Sequence, residues 1–422
     1  ADQPAAFGWL PAGLTKVYSG TSSTVTASSA ALMVATLDQP PLATNNVAAT
    51  TLTNDGLVSD TYGASTIAIR PATVTAGYQN KLQWSQVNVT TRAIDSPNPG
   101  GGVCSGWCNN SAYDLPFNRV GMQLIAYNGY LYAMGGTDGT TRASTVYIAK
   151  LGANGEPSLW HPSGGTPVYW YTDTGLNGAV AKSYFAAYAY NNKMYVLGGQ
   201  TNASPGGITT VEAATIGPNG VLGTWTTTGM QALPDVRHSF SVHTYNDVMY
   251  LIGGDSNGTL RNTVYYSKLN TDGTMNTWTA TSNFTSARSS FGGTMTGLWG
   301  AYIYLAGGCT ALTGAYCSTI ASDVQLASIN ADGTLAPWNS ILNLSNQRIG
   351  YSFIAWQNGL YRFGGCNRQN TSTGVCYATH RNTEYGSVNP DGDASTVNNS
   401  DPAGSTTCGS AAPTNCDLPD AG

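Results

Sequence analysis

Few residues in this chain could do chemistry, and their spacing narrows what that chemistry is. Eight cysteines fall into four sequence-local pairs: Cys104 with Cys108, Cys309 with Cys317, Cys366 with Cys376, and Cys408 with Cys416. Zinc is the competing use, but no pair has Cys-x-x-Cys spacing and only His380 lies near any of them. Four short disulfide staples are therefore expected. Persistent disulfides belong to an oxidising compartment, which points to a secreted or cell-surface protein. The opening Ala1-Asp2-Gln3-Pro4 lacks a basic and apolar leader, as expected of a mature product after signal-peptide removal.

Catalytic constellations are sparse. There is no Gly-x-Ser-x-Gly elbow, and acids are scarce outside turns, so neither a nucleophile with its base nor a carboxylate pair is evident. His238 and His243 are five apart, an odd separation that points them to opposite faces of a strand. His161 and His380 stand alone. Asn389-Pro390-Asp391-Gly392-Asp393-Ala394-Ser395 alternates oxygen-bearing side chains, as a calcium loop at Asp391 and Asp393 would. Its register is that of a hairpin turn, so no cofactor is expected.

Composition sets the class. The chain of 422 residues carries 51 Gly, 25 Tyr and 10 Trp, with only 9% charged residues, far below the quarter usual in soluble domains. A salt-bridged helical protein is excluded, and with 41% hydrophobic residues so is wholesale disorder. The net charge of −5 is concentrated after Arg381, where six acids and no base occur. The body is nearly neutral, which disfavours nucleic acid and anionic membrane as partners. No window approaches a membrane-spanning apolar run. Eight Asn-x-Ser/Thr sequons permit glycosylation without arguing for it.

The elements that position these residues repeat. An aromatic strand ending in Gly-Gly occurs as Leu131-Tyr132-Ala133-Met134-Gly135-Gly136 and returns at Gly198-Gly199, Gly253-Gly254, Gly307-Gly308 and Gly364-Gly365. The intervals are 63, 55, 54 and 57 residues, and each doublet has a tyrosine three positions ahead: Tyr132, Tyr195, Tyr250, Tyr304 and Tyr361. A turn follows at Asn154-Gly155, Asn219-Gly220, Asp272-Gly273 or Asp332-Gly333, and a tryptophan stands five residues after its glycine: Trp160, Trp225, Trp278 and Trp338. Asn-Gly and Asp-Gly between alternating strands mark hairpins, so each repeat reads as four antiparallel strands, a to d. Four basic residues, Arg119, Arg237, Arg288 and Arg348, stand at strand-a entries.

This joint pattern over residues 115–392 resembles the kelch-repeat family of β-propellers, the architecture of galactose-oxidase-like enzymes as well as of non-catalytic members. The resemblance implies an all-β ring of four-stranded blades, each buried only against its neighbours. Some relatives are copper radical oxidases using two histidines and a tyrosine joined to cysteine. Here every Cys has a nearby partner and the two strand histidines diverge, so a non-catalytic member is expected. The Asp-Gly-x-x-x-x-Trp units differ from sialidase Asp-boxes, whose Asp and Gly are separated by one residue.

The fifth turn, Asp391-Gly392, should place tryptophan at 397, where Val397 stands, while Trp84 is an orphan upstream. Closure by an N-terminal strand that completes the last blade accounts for both. Residues 61–392 then form six blades, or seven if residues 17–60 add strands. Residues 1–60 form an arm or partial blade, and 393–422 an acidic, disulfide-stapled tail.

Strands alternate in direction, so b–c and d–a loops share one face. The long insertions are assigned there: Ser85 to Tyr113, His161 to Ala181, Cys309 to Ser322 and Cys366 to Arg381. They supply Trp107, Tyr113, Trp170, Tyr171, Tyr316, Arg368 and Tyr377, types enriched at binding hot spots, while the four entry arginines would ring the channel mouth. The function expected is non-enzymatic: an extracellular recognition or assembly module, adhesin-like or a subunit of a surface layer or filament, binding protein or glycan. Self-association through the termini is an added expectation. The alternative is a carbohydrate-active or copper-oxidase-type propeller enzyme.

Overall fold

The computed structural model describes residues 108–366, apart from single positions and short turns, together with 383–388 and strands within 14–95. Cys104, Trp107, Arg368, Cys376, Tyr377, Asp391, Asp393, Cys408 and Cys416 lie outside the described residues. The fold is an all-β propeller; no α-helix occurs among the described residues, and no helix is long and apolar enough to cross a membrane.

Five blades succeed one another. The first has strand a at Val120–Tyr127, b at Tyr130–Thr137, c at Val146–Leu151, and d split into Pro157–Ser158 and Tyr171–Asp173. The second runs Ala186–Tyr190, Lys193–Leu197 and Val211–Thr215, with Thr226 bridged to Ala213 in place of a full strand d. The third runs Ser241–Tyr245, Val248–Ser256, Thr259–Lys268 and Thr279–Thr281. The fourth runs Thr296–Trp299, Tyr302–Ala306, Asp323–Ser328 and Asn339–Asn343, and the fifth Ser352–Trp356, Gly359–Phe363 and Thr383–Ser387. All pairings are antiparallel and sequential, as short hairpin turns require.

The repeated tyrosine holds blade to blade. Tyr132 Oη donates to the Gly220 carbonyl at 2.8 Å, Tyr195 to Gly273 at 3.1 Å and Tyr250 to Gly333 at 2.9 Å. Each acceptor is the glycine of the next blade's c–d turn, so the aromatic strand and the Asn/Asp-Gly turn form one clamp across each of the first three seams. The turns are made rigid locally: Asp272 and Asp332 each accept from the backbone N–H two residues on, at 2.9 Å.

The glycine doublet has an equally specific cause. Gly198 and Gly199 have φ of +57° and +92°, a region closed to most side chains. A Cβ on Gly198 would lie 2.6 Å from the Arg237 carbonyl oxygen, and Gly199 N–H donates to that oxygen at 2.8 Å. The same link joins Gly136 to Lys182 and Gly254 to Arg288. Strand b is thus sealed to the entry of the next blade, and Tyr195, Val196 and Leu197 are buried on both faces.

The N-terminal strands differ from expectation. Leu14–Gly20, Leu32–Asp38, Tyr62–Arg70 and Lys81–Asn88 pair in that order as their own antiparallel sheet, and Cys108–Asn109 pairs with the last. Among the described residues, Thr383–Ser387 of the fifth blade pairs only with Gly359–Phe363, and no N-terminal strand completes that blade. The reason is that the two strands upstream of Tyr62 satisfy the segment's hydrogen bonds within itself. Leu14–Gly20 lies along Val120–Tyr127 of the first blade and touches Ser352–Trp356 of the fifth. Leu82 joins the first blade's hydrophobic cluster, and its N–H donates to Asp114 Oδ1 at 3.2 Å. The length arithmetic predicts six or seven blades; five are seen, with this sheet beside them.

Candidate functional site: the looped mouth of the ring

A basic residue stands at the mouth ahead of strand a in each blade, immediately before it in the first and four to eight residues before it in the others. Arg119, Arg237, Arg288 and Arg348 are not a ring of free cations. Each guanidinium Nη1 donates to the first glycine carbonyl of its own blade's doublet: Gly135 at 3.3 Å, Gly253 at 3.2 Å, Gly307 at 3.0 Å and Gly364 at 2.9 Å. The same guanidiniums reach strand c or its approach: Arg119 Nη1 to Thr145, Arg237 Nη2 to Thr263, Arg288 Nη1 and Nη2 to the two oxygens of Asp323, and Arg348 Nη2 to Glu384. Arg237, Arg288 and Arg348 are buried. Arg362 also pairs with Glu384. Burial, aided by the charge of Arg362, pushes the Arg348 guanidinium down to about 9.

The second blade fills this position with Lys182, buried and 2.8 Å from the equally buried Glu212. Sequence reasoning misses it because only arginines were compared. The signal was present: Lys182 precedes Gly198 by sixteen residues, the same interval that separates Arg119, Arg237 and Arg348 from their glycines.

Two residues beyond each basic residue, the backbones link from blade to blade. Tyr184 N–H donates to Gly121 O at 2.7 Å, Ser239 to Tyr184 at 2.8 Å, Ser290 to Ser239 at 3.1 Å and Gly350 to Ser290 at 3.3 Å. Tyr184 and Ser239 hold φ of +56° and +51°, a left-handed strain of about 1 to 2 kcal/mol each. Such strain gathers at functional rims.

Above this chain of amides sits a polar network. Arg142, from the first blade's b–c loop, donates through Nε to Ser183 Oγ at 2.8 Å, through Nη1 to Asn202 Oδ1 at 2.9 Å and through Nη2 to Gln200 Oε1 at 3.1 Å. The Gln200 amide nitrogen is 3.2 Å from His238 Nε2, and His238 Nδ1 is 3.2 Å from Ser239 Oγ. The Gln200 amide donates, so Nε2 is the acceptor and Nδ1 carries the proton. Burial depresses the His238 pKa, opposed by Asp255 and assisted by Arg142. Ser239, His238 and Asp255 do not assemble a catalytic triad: Asp255 Oδ1 is 3.8 Å from Nε2 and instead accepts the Gly258 N–H at 2.7 Å. The network suits hydrogen-bonded recognition of a polar ligand.

His243 lies elsewhere, on strand a and buried with Nε2 2.7 Å from Thr296 Oγ1, whereas His238 precedes that strand, so the two do not share one strand as expected and face different surroundings. Among the described residues, no cluster of three or more His, Cys, Asp or Glu is placed to hold a metal.

The other half of the mouth is stapled. The fourth blade's b–c connection is a hairpin, Cys309–Thr313 against Tyr316–Ile320, closed by a Cys309–Cys317 disulfide. Cys366 occupies the same place in the fifth blade and is also disulfide-bonded. Tyr316 sits at this hairpin's tip.

The remaining aromatic candidates gather at the first blade's outer strand. Tyr113 packs edge-on against Tyr169 with centroids 4.9 Å apart, its carbonyl accepts Trp170 Nε1 at 2.8 Å, and Tyr171 lies 5.9 Å from Trp160. The register corrects the expected assignment. Tyr171 faces Ile148 as Thr279 faces Tyr266 and Asn339 faces Leu326, so Trp170, not Trp160, occupies the position of Trp278 and Trp338. Residues 161–167 are an excursion inside strand d, pinched by a Trp160–Val168 bridge, rather than a loop following it. Trp170 and Tyr171 therefore belong to the outer strand. Tyr316 is separate from them.

No family model matches the chain, and no curated protein matches it. Among solved structures it is similar to the structure of YjhT, at 14% identity and a TM-score of 0.52, over 76% of this chain and 98% of that one. At that identity the likeness speaks for the propeller fold alone.

Proposed function

We infer that the protein is a non-enzymatic extracellular recognition or assembly module that binds a protein or glycan partner through the looped mouth. The observation that carries this reading is the disulfide-closed hairpin of the fourth blade, taken with the Arg142–Gln200–His238 network contributed by the first three blades. Rigid loops on a rigid scaffold lose little entropy on binding. The entry arginines do not contribute a ligand surface in this reading, since their guanidiniums are spent on the glycine carbonyls.

In the same reading the repeats are kelch-like, and the N-terminal sheet is a sixth blade that closes the ring. Two observations support closure: the position of Leu14–Gly20 between the first and fifth blades, and the Trp170 hydrogen bond to Tyr113. That bond repeats those of Trp278 to Gln231 and Trp338 to Ser282 of the preceding blades.

The test compares the parent with Tyr316→Ala and Arg142→Ala in binding to a glycan array and to purified surface layers or filaments of the source cell. Loss of binding with an unchanged melting temperature in Tyr316→Ala is expected. Binding unaffected by both changes, or stoichiometric copper in the purified protein, contradicts the reading.

A further inference from the structure

The face opposite the looped mouth carries a pattern that the clamps described above do not require. The last residue of strand a, where the a–b turn begins, is aromatic in all five blades: Tyr127, Tyr190, Tyr245, Trp299 and Trp356. One position pair deeper in the same strands the residues are Ile125, Tyr188, His243, Gly297 and Ile354, with no common chemistry. The preference is confined to the rim, so general packing between blades does not explain it.

These rings tile the rim. Tyr127 Oη accepts the Asn192 N–H of the next blade at 2.9 Å, and Tyr190 Oη donates to Asp247 Oδ1 at 2.9 Å. Tyr127 and Trp356 are buried, whereas Tyr190, Tyr245 and Trp299, at the same strand position of three successive blades, are half-exposed and set out an arc. Beside the arc, Asn191, Asn192, Asn246 and Asp247 are exposed, with φ of +46°, +56°, +47° and +61°. Turns with both central residues left-handed are the tight primed type, and they hold these amide and carboxylate groups outward at fixed positions.

We propose that this short-turn face is a second binding site, for a neutral oligosaccharide, with pyranose rings against the Tyr190–Tyr245–Trp299 arc and hydroxyls on the Asn191, Asn246 and Asp247 side chains. An aromatic surface with a polar rim, amphipathic at each residue, matches a sugar's apolar face and hydroxyl edge. A protein partner fits less well: the exposed large aliphatic side chains among the described residues are Leu159 and Val180, neither of them in these turns. The site does not rest on the looped-mouth reading, since it uses other residues on the other face.

The experiment titrates the full chain with cellotetraose, maltotetraose and chitotetraose in turn, following tryptophan fluorescence, to which Trp299 and Trp356 contribute at the rim. A saturable change is expected with at least one tetraose, about tenfold weaker in Tyr190→Ala and in Asp247→Gly, with melting temperature retained in Asp247→Gly, which removes an exposed side chain and keeps the left-handed turn. Leu159→Ala, on the first blade's outer strand, leaves the titration unchanged. The proposal is overturned if no tetraose gives a saturable change at millimolar concentration, or if the change survives intact in Asp247→Gly. Loss in Tyr316→Ala with retention in Asp247→Gly places sugar on the looped face and equally overturns it.

Discussion

The tyrosine hydroxyls of Tyr132, Tyr195 and Tyr250 each complete a seam between blades, and burial drives their pKa values upward. Removing one hydroxyl leaves a glycine carbonyl without its donor in a closed seam. Tyr195→Phe and Tyr250→Phe are each expected to cost about 1 to 2 kcal/mol, read from denaturant melts, while preserving the ring. No change in either variant would detach the hydroxyl from the seam. The tyrosine was legible in the sequence as five recurrences at one offset, but its partner was not, because the acceptor is a backbone atom about eighty residues away. His238 supplies a pH test. Its folded pKa lies below 6.5, so folding favours the neutral form. That stability is fully present above 6.5 and is lost as pH falls through the lower folded value. The parent should therefore lose more melting temperature than His238→Gln between neutral pH and about pH 5, and equal losses would show that burial does not depress the imidazole.

At the scale of the element, hairpins were readable wherever turn chemistry and strand alternation agreed, as at Asp272-Gly273 and Asp332-Gly333. The first blade's outer strand was misread because Trp160 satisfies the same local spacing as Trp278, and spacing carries no information on pairing register. Only the partner, Tyr171 against Ile148, decides it. Trp160 and Val168 exchange both backbone hydrogen bonds, at 3.1 and 2.9 Å, which is the closing pair of a two-residue hairpin. Replacing residues 161–167 by Asn-Gly should accordingly leave the melting temperature unchanged. Trp278→Ala and Trp338→Ala, whose rings are buried, should each cost about 3 to 5 kcal/mol. Unfolding of the first blade in the shortened variant would mean that the excursion, not Trp170, holds strand d.

At the scale of the molecule, the propeller was legible because its repeat is local, whereas its closure was not, because closure joins residues at opposite ends of the chain. The Ala-, Ser- and Thr-rich N-terminal strands show weak alternation, so neither their pairing nor their place beside the first blade could be read from pattern. If they close the ring, they supply the missing neighbour of Val120–Tyr127, and without them the first and fifth blades each present a bare inner strand and an open seam. The direct test is the unfolding of the chain lacking residues 1–95, followed by circular dichroism and intrinsic fluorescence together. Closure by the N-terminal sheet predicts a lower melting temperature and loss of coincidence between the two probes, with both restored on adding the 1–95 segment in trans. A single cooperative transition at the parent's temperature would show that the five blades of residues 115–388 close on themselves, and would contradict it.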